Sequence, residues 1–120
     1  MKKTYPTLSI VQPAGQRIAQ GIKKLEIRSW QPEHLPLKDL VIVENQHYLT
    51  KAGEEEQGLA VAMMDIESVH VWTEDEVETA QASYWAEGYS AWVITNVRPI
   101  HPPIPVLAQR KIYFIEIDHA

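Results

Sequence analysis

Gly21-Ile22-Lys23-Lys24-Leu25-Glu26-Ile27-Arg28-Ser29-Trp30 joins a helix stop, a strand and a cluster of charges within ten residues. Gly21 supplies the left-handed conformation that ends a helix, and Leu25 and Ile27 begin a period-two pattern that predicts a strand over 24–30. Successive side chains of a strand face opposite ways, so Leu25 and Ile27 share one face while Glu26, Arg28 and Trp30 share the other. The first face is suited to a core and the second to chemistry. Lys23 falls in the turn just past the helix stop, where its amine reaches over the same surface as Glu26 and Arg28.

Upstream of this stretch, Leu8-Ser9-Ile10-Val11 reads as a short strand. Pro13 suits a first helical position, where its missing N–H costs nothing, and Ala14, Ile18 and Ile22 give the helix one apolar stripe. Downstream, Glu33 to Lys38 is a polar loop. Asp39 to Asn45 reads as a strand, with Val41 and Val43 on one face and Ile42 and Glu44 on the other. Residues 51–58 hold two glycines and the acids Glu54, Glu55 and Glu56, and read as a mobile, solvated loop, because three neighbouring carboxylates do not all point at one ion. Leu59 to Val71 reads as a long buried strand. Thr73-Glu74-Asp75-Glu76 has the form of a capping box, with Trp72 and Val77 spaced for a hydrophobic staple, and predicts a helix from Thr73 to Tyr84 or Trp85. Tyr89 to Val97 reads as a strand, residues 98–106 as a proline-rich extended connector, and Lys111 to Asp118 as the closing strand.

A chain of 120 residues without cysteine implies one domain over 1–120 with its own core, and excludes disulfides, thiolate metal sites and cysteine nucleophiles. No apolar run approaches the roughly 18 residues of a membrane helix, and no leader pattern follows Met1, so a cytoplasmic protein is expected. The net charge of -5 argues against bulk binding of nucleic acid. The charge is uneven, however: residues 1–30 carry Lys2, Lys3, Arg17, Lys23, Lys24 and Arg28 against Glu26 alone. The order strand, helix, two strands, long strand, helix, two strands predicts an α+β fold, a small mixed β-barrel of five to six strands capped by two short helices.

Three features together resemble the activating signal cointegrator homology (ASCH) domain: Leu8-Ser9-Ile10 followed by Gln12-Pro13, the Gly-x-Lys-x-x-Glu-x-Arg pattern at Gly21, Lys23, Glu26 and Arg28, and Pro103-Ile104-Pro105-Val106 before the last strand. The resemblance implies a PUA-like barrel with a cleft into which Lys23, Glu26 and Arg28 project, and RNA or a nucleoside or nucleotide as ligand. Some small proteins of similar fold are amidohydrolases of N4-acetylcytidine, and others are linked to RNA cleavage. Glu26 stands where the amidohydrolase pattern has Thr, and Ala14 where many relatives have an aromatic residue.

In such a cleft Arg28 donates a fork of hydrogen bonds, Glu26 accepts from an exocyclic amine and Lys23 meets an anion. The alternative is acid/base work by Lys23 and Glu26 in a hydrolase or ribonuclease. Trp30, on the face of Glu26 and Arg28, is the leading stacking residue, and Trp85 a second; Trp72 and Trp92 read as core. Ser29, Tyr48 and Ser90 are the hydroxyls to place near Lys23. His34, His47, His70, His101 and His119 lack metal-ligand spacing, so no metal and no cofactor are expected. The proline-rich segment leaves a protein-interaction role as a third alternative.

Overall fold

The computed structural model describes residues 2–118. Six strands carry the fold: β1 (Lys2–Val11), β2 (Leu25–Arg28), β3 (Leu37–Asn45), β4 (Glu56–Val71), β5 (Ser90–Ala108) and β6 (Ile112–Asp118), with one helix, α1 (Ala14–Ala19), after β1. They form a single curled half-barrel sheet in the order β2-β5-β4-β3-β1-β6. All neighbours are antiparallel except β1 and β3, which pair in parallel from Thr7↔Val41 to Val11↔Asn45. The barrel is open, since the edge strands β2 and β6 do not pair with each other.

The alternation predicted for β3 holds. Leu40 and Ile42 enter one buried cluster with Leu8, Ile18, Met64 and Trp92, while Val41 and Val43 enter another with Tyr5, Met63 and Ile117. A smaller cluster joins Leu25, Trp72, Ala80 and Ala91, with Ile27, Val77 and Trp85 packed against it. The helix is one residue shorter at its start than expected, Pro13 standing at the N-cap. Ile18 is fully buried but Ile22 is about half exposed, because the chain has already turned away at Gly21. Glu44 holds the helix, accepting from the Gln16 amide at 3.0 Å.

Two expectations are corrected. The second helix is only a 3-10 turn, Glu74–Glu76, in place of a helix to residue 84 or 85. Its start is as read: a capping box is present, with the Thr73 amide donating to Glu76 Oε1 at 3.0 Å. Its end comes early because Gln81 adopts a left-handed φ of 56°, with its amide on Glu78 O and the Ala82 amide on Val77 O. The carbonyls that a longer helix would use internally go elsewhere, Thr79 O to the Lys24 amide and Ala80 O to the Lys23 amine.

The proline-rich segment is the other correction. It is the second half of β5 and pairs with β4 at Pro99↔Ala62, Ile104↔Ala60, Pro105↔Leu59 and Val106↔Gly58. The register slips between Ala60 and Ala62, which leaves residues 100–103 out of the pairing, with Ile100 turned into the core. This half has β4 as its one partner, since β2 pairs only with Ser90 to Val93, and prolines are tolerated at an edge or bulge where a missing N–H breaks no ladder.

Candidate functional site

Gly21 has φ 79° and closes α1 with two bonds, its own amide to Ile18 O and the Ile22 amide to Arg17 O, the pattern of a Schellman cap. That cap throws the chain back across the sheet, so Lys23 enters the interior before β2 begins. Its Nζ donates to Ala80 O at 2.6 Å and lies 3.6 Å from Glu26 Oε1. Glu26 Oε2 accepts from Arg28 Nε at 2.8 Å, and Arg28 Nη2 donates to Ser9 O at 2.9 Å.

This last bond crosses the opening of the barrel. The pairing of β1 with β6 stops at Leu8↔Ile112, so the edge of β1 beyond it faces β2, and the guanidinium spans the gap. A cavity of about 670 Å³ occupies the seam, within the size range of small-ligand sites. Its walls come from β1, β2, the turn at Ala80 to Ala82, the segment with Tyr48 and Leu49, and the β5–β6 turn, Gln109 to Lys111.

Lys23 and Glu26 are 8% and 4% exposed. Burial holds the Lys23 amine below the usual lysine range; the Glu26 carboxylate opposes this, and Arg28 and Arg17 add to it. Lys23, Glu26, Arg28 and Trp30 therefore all line one cavity, as does Ala14. The Trp30 ring meets the edge of Trp92 at 5.0 Å, and the Lys111 amine lies 5.7 Å from its centroid. Trp85 lies elsewhere: its Nε1 donates to Trp72 O, and its ring packs against Trp72 at 6.5 Å.

Of the hydroxyls singled out, Ser29 and Tyr48 line the cavity, while Ser90 does not and its Oγ accepts from Gln31. Ser9 does line it, held by Tyr113 OH at 2.8 Å and the Gln109 amide at 3.1 Å. The three loop acids go to separate partners. Glu54 accepts from the Thr50 and Lys51 amides, Glu55 from Gln109 Nε2, and Glu56 from the Gln46 and His47 amides and the His47 ring. Those contacts hold Glu56 down at a pKa of about 2, the His47 ring contributing most. Among the described residues no group of three or more His, Asp or Glu is placed to hold a metal ion, and no helix is long and apolar enough to cross a membrane. His119 lies outside the described residues.

The basic first quarter of the chain is not gathered at one place. Only Lys23 and Arg28 of its six cations reach the cavity, and two others, Arg110 and Lys111, come from the far end of the sequence. No local motif marks that turn; it arrives through the antiparallel register of β1 with β6.

Sheet and site together define a small open-barrel β domain with a cationic cleft at its seam, built on a Lys-Glu-Arg cluster whose lysine and glutamate are buried and whose arginine is half-buried. The model of the ASCH domain family matches residues 8–104, and the chain belongs to that family. A search of curated proteins found no match to it.

Proposed function

We propose that this chain is a PUA-like RNA- or nucleotide-binding domain whose ligand sits in the seam cavity against Lys23, Glu26, Arg28 and Trp30. The observation that carries the reading is the convergence of that trio, in an ASCH domain, on one cavity of about 670 Å³. Glu26 retains lone pairs for an exocyclic amine, Arg28 presents the rest of its fork, and the Trp30 ring borders the place a base would occupy. The cavity's surplus of cations suits a ligand that carries phosphate, although the protein as a whole is acidic.

A second reading is favoured by one observation, the depressed pKa of a Lys23 amine only 3.6 Å from a carboxylate. Such a pair suits proton transfer during hydrolysis of an N4-acetyl group, in which water adds to the acetyl carbonyl, the C–N bond breaks, and cytidine and acetate leave. Titration of labelled protein with a short single-stranded RNA carrying one N4-acetylcytidine tests both readings, with amide shifts and free acetate followed together. Shifts around residues 21–30 without acetate are the expected result. Acetate that is released by the parent and not by Glu26→Gln would establish the hydrolase instead. Unaltered affinity in both Lys23→Ala and Arg28→Ala would sink the binding reading.

A further inference from the structure

The trio that defines the cleft is already committed within the protein. Lys23 Nζ is held by Ala80 O and Glu26, and Arg28 by Glu26 and Ser9 O. An anion placed on either would have to compete with these contacts, buried at Lys23 and part-buried at Arg28. At the exposed rim of the same cavity stand two cations with no such commitment. Arg110 has no hydrogen bond or ion pair among the described residues, and Lys111 only its approach to the Trp30 ring at 5.7 Å. The carboxylate tied to this turn, Glu55, is bonded to Gln109 Nε2 and pairs with neither cation.

The turn is also held in place. The Gln109 amide donates to Ser9 Oγ, Tyr113 OH donates to Leu107 O at 3.1 Å, and Lys111 takes a left-handed φ of 56° as the chain reverses into β6. The anchored turn fixes the backbone from which both charges extend, so a ligand that meets them has only their side chains to order.

We infer that Arg110 and Lys111 form a phosphate subsite at the rim of the cleft, separate from the inner Lys23-Glu26-Arg28 end that receives the base. The inference rests on the nucleotide-binding reading above. It divides the cleft by chemistry: hydrogen bonding to a base edge at the inner end, and charge neutralisation of a phosphate at the rim, with Trp30 between the two. The phosphate belongs equally to a free nucleotide or to an RNA chain.

The test uses the full chain, N4-acetylcytidine, its 5′-monophosphate, and a trinucleotide with N4-acetylcytidine in the middle. The variant is Arg110→Gln with Lys111→Asn, since Asn tolerates the left-handed backbone that position 111 requires. A melting temperature matching the parent's confirms that the turn is intact. In the parent the monophosphate should bind at least about tenfold more tightly than the nucleoside, as expected for a charge-assisted contact. In the variant that advantage should vanish while nucleoside affinity stays within about twofold. A further gain for the trinucleotide that the variant also loses would sustain the inference and make RNA the source of the phosphate; no further gain would sustain it for free nucleotides. Equal parent affinities for nucleoside and monophosphate would overturn the subsite and leave the base-binding reading standing, as would a variant that weakens both ligands alike. A parent that binds none of the three would overturn both.

Discussion

Glu26 is the residue on which the cleft turns, because its one carboxylate serves two cations, Lys23 at 3.6 Å and Arg28 at 2.8 Å. Removing it leaves the Lys23 amine buried with a single carbonyl for company and takes away the contact that opposes its downward pKa shift. Glu26→Ala should therefore destabilise the fold by about 3 to 5 kcal/mol, the cost of stranding a buried charge. Lys23→Met keeps the volume and leaves Glu26 with Arg28, and should cost about 1 to 2 kcal/mol. Denaturant unfolding of the two variants measures the difference, and equal losses would show that Glu26 does not hold the cluster together. These residues were legible in the sequence because their placement is local: a helix stop at Gly21 and a two-residue period put Glu26 and Arg28 on one face. Ser9, Arg110 and Lys111 were not, since the Ser9–Gln109 contact joins residues 100 positions apart and nothing near either one announces the other.

Among the elements, β4 is the most constrained, being paired with β5 from Glu56 to Val71 and with β3 from Leu59 to Ile66. At Gly58 a Cβ would lie 2.7 Å from Val43 Cγ1 and 2.8 Å from Glu44 O. The second of these is backbone and has nowhere to go. Gly58→Ala should cost about 1 to 3 kcal/mol through overpacking, read as a lowered thermal midpoint, and a midpoint at or above the parent's would contradict the close approach. The strand over 59–71 was readable from its apolar, β-branched run, and the capping box at Thr73 from its Thr-x-x-Glu form. The extent of the elements was not. The element after Thr73 stays a 3-10 turn, with Gln81 left-handed and the carbonyls of Thr79 and Ala80 given to Lys24 and Lys23, and the prolines of β5 pair because that half of the strand lies at an edge. In each case a distant neighbour overrides the local signal.

For the molecule as a whole, composition and cleft point in opposite directions. The net charge is -5, yet Lys23, Arg28, Arg110 and Lys111 line the cavity against Glu26. Binding of single-stranded RNA should accordingly weaken with salt, with a slope of log K against log salt of about -1 to -2, equivalent to the release of one to three counterions. A flat response would mean that the rim cations meet no phosphate. A small mixed barrel was the right expectation in outline, but its openness depends on strand order, which a single sequence does not carry. That openness makes the Arg28–Ser9 bond more than a contact in a site. It works as a clasp between the two margins of the sheet, fastened by the same side chain proposed to grip the ligand. A base that drew the guanidinium away from Ser9 would unfasten the margins as it entered, so occupancy and breathing of the seam would share one latch.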